Sequence, residues 1–379
     1  MEAFWVFIDW VAPPIIILVA AVAGKRETVA YQNAIVSIVF IWISLLAALR
    51  YQTGGDWDGY ESYFDAVDIY ANIYEGYLGS SHMLQYEPGY YVISYIVKSL
   101  GLSYLAVNVL SIFVFAFALY RFVCKEYLPL YFVSLIFIGL PHITLYYNQV
   151  RQALALGFVL MAVQSSTKKS FFALGILALS FQVTSVVFLI CGVIAWFKAG
   201  FFEKLIRVGL VCIPIAIFLV RVTNIAAYDL LRIFLPENFQ FKIDLYQEED
   251  TGFGAFRFLT ILYIVYCTVF LFAKYQLMRD IKVSQEYIIK LTLLCSLLVP
   301  YSVILFPNAY PFFNRSLVFS MILFSMSGSV LHKYSLGNRG PKLILIPFYG
   351  LGLLSMVYYF VTLYTYESVY IPYKSFIFP

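Results

Sequence analysis

The chain has 379 residues, of which 62% are hydrophobic and 12% are charged, and its formal net charge is +4 at pH 7. A soluble domain has roughly 45–50% apolar and about 25% charged residues, so this composition excludes an ordinary soluble protein and predicts a polytopic membrane protein. The sequence shows no basic face and no base-stacking platform, which argues against nucleic acid as a partner. The small positive charge is expected from basic residues that membrane topology places.

Apolar runs of about 20 residues, the length that crosses the hydrocarbon core, recur along the chain. The N-terminal segment lacks a basic region and contains Trp5, Asp9 and Trp10, so we predict a first spanning helix and not a cleaved signal peptide. The predicted spans are 4–23, 29–49, 103–122, 127–146, 150–166, 205–221, 256–273, 287–306, 312–331 and 342–364.

Two regions do not fit one simple span each. Residues 88–100 are too short to cross, and residues 170–197 are too long for one helix and short for two. We expect the second region to form two half-helices that break near FQVTS, residues 181–185. Irregular backbone at membrane depth is tolerated only where protein or a wet cavity surrounds it, so this break predicts a cavity.

The sequence thus predicts one all-α, polytopic domain over residues 1–379, with about 10–12 transmembrane helices and re-entrant or broken half-helices.

The positive-inside rule gives the chain an orientation. Basic residues recur at every second turn, including Lys25-Arg26 and Lys168-Lys169, and placing these turns inside requires the N-terminus outside. Outer loops 50–102 and 222–255 then form part of the extracytoplasmic face. Basic residues at membrane depth on the disfavoured side are candidates for function. They are Arg50, Lys98, Arg151, Arg221, Arg232, Lys242, Arg257, Arg315 and Lys374.

Arginine suits phosphate because its guanidinium group is planar, always charged and able to bind in a bidentate manner. Arg50, Arg151 and Arg315 stand at the predicted outer ends of different helices, and we expect them to clamp a lipid diphosphate at the membrane surface. The alternative is that each arginine is an interfacial anchor that extends its charge into the headgroups. Arg257 and Lys374 are further candidates for contact with the substrate.

Candidate bases occur in the same outer segments. Asp56 follows two glycines that permit close backbone approach to a ligand, and it can serve as general base for a sugar hydroxyl or simply cap a helix. Glu87 precedes Pro88 and either caps the short helix or adds a second carboxylate to the cavity. His142 is a candidate because histidine titrates near neutral pH, although a bond to a backbone carbonyl is the alternative.

Metal and cofactor signatures are missing from the sequence. The five cysteines form no CxxC pair and fall in or beside apolar runs, so we interpret them as small core residues. The three histidines are scattered, and no spacing fits a metal site. No P-loop, GxSxG or dinucleotide fingerprint is present. We therefore expect neither a metal nor a cofactor.

Six stretches, taken in order, resemble the EpsG family of bacterial polysaccharide proteins, which is close to the O-antigen polymerases called Wzy. They are LRYQTGGDWDGY, YEPGYY, YYNQVRQALALGF, KKSFFALGILALSFQVTS, PFFNRSLVF and IPYKSF. The resemblance implies a GT-C-like helical fold. One position departs from it, because Gln182 stands where the family usually has a histidine, and glutamine cannot act as a base at neutral pH. If that histidine is catalytic, its role falls here to Asp56, Glu87 or His142.

The resemblance implies polymerisation of glycan repeat units at the outer face of the bacterial inner membrane. The expected donor is an undecaprenyl-diphosphate-linked glycan, and the acceptor is the non-reducing-end hydroxyl of another lipid-linked repeat unit. The departing diphosphate needs charge stabilisation, which arginines supply without a metal. The expected roles place Arg50, Arg151 and Arg315 on the diphosphate, Asp56 as base, Tyr60, Glu87 and Gln182 on sugar, and Lys374 at the closing edge of the site or on phosphate.

The expected partners are membrane lipid and, in the same pathway, a chain-length regulator and a flippase.

Three alternative functions stay open at the level of sequence. A flippase or transporter of the same lipid-linked glycan would also use a wet cavity with arginines, although alternating access favours internal repeats and a site near the midplane. A membrane O-acyltransferase would need a deep histidine with an Asn or Asp companion, and no convincing pair is found. A purely structural subunit is disfavoured by the polar residues collected on one side.

Overall fold

The computed structural model describes residues 29–79, 86–126, 144–145, 148–165, 167–223, 254–278, 281–305, 310–337 and 346–365. Within these ranges the regular elements are helices, which confirms an all-α polytopic membrane protein. The helices are α1 (Val29–Ala48), α2 (Trp57–Ala66), α3 (Ile73–Gly79), α4 (Pro88–Ser99), α5 (Tyr104–Glu126), α6 (Val150–Val163), α7 (Lys168–Phe181), α8 (Ser185–Ile194), α9 (Ala199–Thr223), α10 (Gly254–Leu277), α11 (Val283–Leu305), α12 (Tyr310–Gly337) and α13 (Ile346–Thr365).

Four windows among the described helices are long and apolar enough to cross a membrane. They are Tyr104–Arg121, Phe258–Leu277, Val283–Ser302 and Phe313–His332. Shorter apolar helices occur at Val150–Val163, Ser185–Ile194 and Ile346–Tyr358. The predicted span at 4–23 and nearly all of the one at 127–146 lie outside the described residues.

The predicted break in residues 170–197 is confirmed. Helix α7 ends at Phe181 and α8 begins at Ser185, and Gln182 between them has extended backbone with φ −155° and ψ 109°. The two helices have 14 and 10 residues, so each is shorter than the roughly 20 residues of a full crossing. Helix α4 has 12 residues and is also too short to cross, as its sequence predicted.

The chain divides into two compact units, one comprising Met1–Ile190 with Ser355–Pro379 and the other Cys191–Leu354. In the first unit, α5 packs against α1 and α6, α6 packs against α7, and α4 packs against both α5 and α7. A Cβ atom added to Gly157 of α6 would lie 3.1 Å from the Cα atom of Phe115. Glycine therefore allows the backbones of α5 and α6 to approach closely, as small residues do in membrane interiors.

In the second unit, α11 packs against α9, α10 and α12. Buried hydroxyl groups join these helices. The Oγ1 atom of Thr292 lies 2.6 Å from Ser327 Oγ, and Ser320 Oγ donates a hydrogen bond to the carbonyl of Cys295 at 2.9 Å. Such bonds stabilise helix association where lipid removes most of the hydrophobic driving force.

Candidate active site

A buried ion pair joins two of the residues that the sequence singled out. Arg151 lies in the first turn of α6, and Glu87 directly precedes α4. The Nη1 atom of Arg151 donates to Glu87 Oε2 at 2.6 Å, and only 15% and 12% of the two side chains are exposed. A charge-assisted hydrogen bond of this length is strong. The pair therefore fixes the start of α6 to the start of α4.

The same carboxylate reaches the break between α7 and α8. Glu87 Oε1 accepts a hydrogen bond from the backbone nitrogen of Val183 at 3.1 Å. A Cβ atom added to Gly89 would lie 2.7 Å from the carbonyl oxygen of Ser180, so only glycine lets α4 begin against the end of α7. Glu87 occupies the N-cap position but makes no side-chain capping bond. The side chain of Glu87 therefore does not act as a simple helix cap, and its role as a second carboxylate in a cavity stays a prediction.

Tyrosine rings surround the Arg151 guanidinium group. Its central carbon lies 4.0 Å from the ring centroid of Tyr86, 5.5 Å from Tyr60 and 5.9 Å from Tyr90. Tyr63 joins the group through Tyr86, with ring centroids 4.1 Å apart. We call Tyr60, Tyr63, Tyr86 and Tyr90 the tyrosine cluster. The arrangement gives the cation favourable contact with ring faces.

Sequence reasoning selected Tyr60 but missed the other three members of the tyrosine cluster. A signal was present in α2, because Trp57, Tyr60, Tyr63 and Phe64 repeat at helical spacing and are all buried. In a chain with 33 tyrosines, this spacing does not distinguish a functional cluster from ordinary packing. The contact with Arg151 singles out Tyr60, Tyr86 and Tyr90, and only the tertiary structure shows it.

The hydroxyl groups of Tyr60 and Tyr63 remain protonated at neutral pH. Burial raises the pKa of Tyr60 to about 12; the Arg151 charge opposes this rise, and the Asp56 carboxylate adds to it. Burial also raises the pKa of Tyr63. The Tyr63 hydroxyl is buried and makes no hydrogen bond with the residues that the structure describes. Both phenols therefore keep a proton that they can donate in a hydrogen bond.

Asp56 lies at the start of α2, next to this cluster. Its side chain is exposed and makes no capping bond, although it occupies the N-cap position. The preceding Gly54 has φ +102°, a conformation that glycine adopts without the steric cost of a Cβ atom. The backbone nitrogen of Gly55 donates to Asn148 Oδ1 at 2.9 Å. The glycine turn thus aligns an exposed carboxylate with the tyrosine cluster, and its charge influences Tyr60.

Arg50 is enclosed in protein. Its side chain is fully buried, Nη2 donates to Asn108 Oδ1 at 3.3 Å, and the guanidinium carbon lies 5.6 Å from the Trp57 ring centroid. The amide of Asn108 also donates to the carbonyls of Ala47 and Ala48 at 3.1 and 2.9 Å, which satisfies the end of α1. An interfacial anchor would expose its charge, so that alternative does not fit Arg50. Its contact with a diphosphate stays a prediction, and the described contacts favour a positioning role.

The family of the chain follows from comparison with known sequences. The sequence model of the EpsG family matches residues 33–375, nearly the whole chain. The chain belongs to the EpsG family. Membership makes it a membrane protein of polysaccharide biosynthesis, with a glycosyltransferase-like role. Comparisons with curated proteins and with solved structures found no match.

Lys98 of this EpsG protein has a structural role. Its Nζ atom donates to the carbonyls of Phe64, Asp65 and Val67 at 3.3, 2.6 and 2.8 Å. Carbonyls at the end of a helix lack intrahelical partners, and a nearby lysine satisfies them. The positive-inside rule placed Lys98 among the functional candidates, but the structure uses its charge to cap α2.

The remaining candidates of the EpsG protein lie in different parts of the chain. Gln182 is buried, with 5% exposed, and directly precedes the Val183 nitrogen that Glu87 binds. Arg315 belongs to α12 in the second unit, and its sharing of a pocket with Arg50 and Arg151 stays a prediction. His142 and Lys374 lie outside the described residues, as does the side chain of Arg257, whose backbone belongs to α10. In the described part of the chain, no cluster of three or more His, Cys, Asp or Glu could hold a metal ion.

Proposed function

We propose that this EpsG protein is a polysaccharide polymerase. It transfers an undecaprenyl-diphosphate-linked glycan onto the non-reducing-end hydroxyl of another lipid-linked repeat unit. The acceptor oxygen attacks the anomeric carbon of the donor, and the bond from that carbon to the diphosphate breaks. The acceptor proton passes to a carboxylate, and undecaprenyl diphosphate leaves with the bonding electron pair.

The observation that carries this proposal is the placement of Arg151. The Glu87 ion pair and the face of Tyr86 hold the guanidinium group at the start of α6, where 15% of the Arg151 side chain is exposed. A cation fixed in advance stabilises charge that develops on a leaving group without reorganisation during the reaction. Because Glu87 already balances one charge, a diphosphate requires further cations. We propose Arg315, Arg257 and Lys374 for that role.

Asp56 is the better candidate for the base. The Glu87 carboxylate has both oxygens engaged, one by Arg151 and one by the nitrogen of Val183, so it is suited to positioning. The Asp56 carboxylate is exposed and makes no capping bond, and it is therefore accessible to an acceptor hydroxyl. His142 remains a candidate outside the described residues. Tyr60 and Gln182 are proposed to contact sugar.

We place the reaction at the outer face of the bacterial inner membrane, with a chain-length regulator and a flippase as pathway partners. The orientation argument supports this location, because Arg50, Asp56, Glu87 and Arg151 all fall on segments that the positive-inside rule assigns to the outside. A flippase of the same lipid-linked glycan is the second candidate, since it would bind the same diphosphate.

The test uses purified protein in lipid nanodiscs with lipid-linked repeat units, and it follows glycan length on gels. Arg151→Ala should reduce the polymerisation rate on the order of 10²–10³-fold, because a preorganised donor to the leaving group is lost. Arg207→Ala is the matched control, since Arg207 is 61% exposed and pairs with Glu203 on its own helix. Long chains from Arg151→Ala at the wild-type rate would remove Arg151 from the diphosphate role.

The base is tested by Asp56→Asn, with Asp58→Asn as control because Asp58 is also exposed and lies in the first turn of α2. Only the first variant should lose polymerisation while protein levels stay normal. Equal activity of the two variants would place the base elsewhere. In proteoliposomes, movement of the lipid-linked glycan across the bilayer without any chain growth would establish a flippase instead.

A further inference from the structure

One side chain connects the segment that carries Asp56 with the segment that carries Arg151. Asn148 precedes Arg151 in the sequence NQVR, at the start of α6. Its Oδ1 atom accepts a hydrogen bond from the backbone nitrogen of Gly55 at 2.9 Å, across 93 residues of chain. Asp56 is the residue that follows Gly55. The Asn148 side chain thus joins the segment of the proposed base to the segment of the proposed phosphate ligand, in addition to the contact between Tyr60 and Arg151.

The turn that Asn148 contacts is formed by two glycines, Gly54 and Gly55. Gly54 has φ +102°, and glycine loses more conformational freedom on ordering than any other residue. Its carbonyl accepts from the nitrogen of Trp57 at 3.2 Å, which forms the turn locally but does not relate it to α6. A Cβ atom added to Gly55 would lie 3.7 Å from Asn148 Oδ1, an ordinary contact. The Gly55 nitrogen thus lies within hydrogen-bond distance of Asn148 without steric crowding at the Gly55 Cα atom.

We propose that Asn148 is a positioning residue that holds the Gly54-Gly55 turn against the start of α6 and so keeps the Asp56 carboxylate in register with Arg151. This inference rests on the proposed function. It adds a residue whose side chain need not touch the substrate, and whose effect reaches the reaction through Asp56. Misplacing a reacting group by about 1 Å can cost on the order of 100-fold in rate, so one hydrogen bond at this location is sufficient.

A positioning role and a purely structural role predict different outcomes. Gly55 is exposed and Asn148 is half-buried, so the hydrogen bond between them contributes little to global stability. Its loss should leave the folded protein intact and allow the turn to move. A structural role would instead lower the melting temperature and affect every kinetic parameter together.

The experiment measures kcat and the KM for the lipid-linked donor in nanodiscs, together with the melting temperature. Asn148→Leu should lower kcat about 10–100-fold while the donor KM changes by less than about threefold. Asn148→Ala is made in parallel, and it decides the question if the leucine variant does not fold. Asn148→Asp keeps an oxygen acceptor and should recover most of the lost kcat. Asn72→Leu is the matched control, because Asn72 Oδ1 also accepts a backbone N–H bond, from Tyr74 at 3.1 Å, but only within its own loop.

A double variant shows whether Asn148 acts through Asp56. In the Asp56→Asn background, Asn148→Leu should cause no further loss of the residual rate, because the base it positions is already gone. A full additional loss would overturn the inference, as would a wild-type kcat for both Asn148→Leu and Asn148→Ala. If Asp56→Asn itself retains the wild-type rate, the base assigned in the proposed function fails. If Asp56→Asn is inactive and the Asn148 variants are fully active, only the present inference fails.

Discussion

Removing the charge of Glu87 is expected to destabilise the first unit through Arg151. Glu87→Gln keeps the shape of the side chain but leaves the guanidinium group shielded from water without its counter-ion. The Val183 nitrogen and the Arg151 Nη1 atom, bound at 3.1 and 2.6 Å, would then share an amide with only one oxygen acceptor.

The magnitude follows from the burial of the pair. Removing one partner of a fully buried ion pair costs about 3–5 kcal/mol. Here 15% and 12% of the two side chains are exposed, and the Tyr86 ring at 4.0 Å continues to stabilise the cation by about 0.5–2 kcal/mol. We therefore expect Glu87→Gln to lower the free energy of unfolding by about 2–3 kcal/mol.

The assay is equilibrium unfolding in mixed micelles with increasing SDS, applied to the Glu87→Gln and Arg151→Met single variants and to the double variant. The double variant leaves no unpaired charge, so its loss should be smaller than the sum of the single losses by about 1.5 kcal/mol or more. The exposed pair Glu203–Arg207, with an N–O distance of 3.4 Å on one helix, is the control and should give a coupling of about 0–0.5 kcal/mol.

The two pairs therefore differ in their expected coupling by a measurable amount. The argument that the ion pair holds the site together would be refuted if the double variant lost as much stability as the two single variants combined. The coupling energy of Glu87 and Arg151 would then be no larger than that of the exposed control pair. If the coupling energy is as large as expected but Glu87→Gln still polymerises at the wild-type rate, the ion pair stabilises the fold and Glu87 takes no part in the reaction.

Two further variants test how α2 and α4 are held. Lys98→Met removes the cap from the end of α2 and should lower the free energy of unfolding by about 1–3 kcal/mol in the same titration; an unchanged value would mean that water replaces the ammonium group. Gly89→Ala places a Cβ atom 2.7 Å from the Ser180 carbonyl and should cost about 1–3 kcal/mol. Gly59→Ala, where a Cβ atom meets nothing within 4 Å, should instead be neutral or stabilising by up to about 1 kcal/mol, and similar losses for both glycines would contradict the packing argument.

Several residues of the site were visible in the sequence because charge near an apolar run is expensive. Arg151 stood out for that reason, while Asp56 was selected because it follows two glycines and Glu87 because it precedes Pro88. The structure places Glu87 and Arg151 in contact and Asp56 beside the tyrosine cluster. The same argument also selected Lys98, which caps α2. The free-energy cost of a charge near the membrane indicates that the charge has a role. It does not distinguish substrate binding from the capping of a helix.

The sequence by itself determined the membrane class, the long apolar helices that the structure describes and the break after Phe181, because these depend on apolar length and on local backbone preferences. The resemblance to the EpsG family was likewise visible in short sequence motifs. Only the tertiary structure decided the partners of each polar group. The Glu87–Arg151 pair, the enclosure of Arg50 by Asn108 and the bond from Gly55 to Asn148 all join segments at least 58 residues apart. Such contacts depend on how the helices pack, and no local preference of the chain encodes that packing.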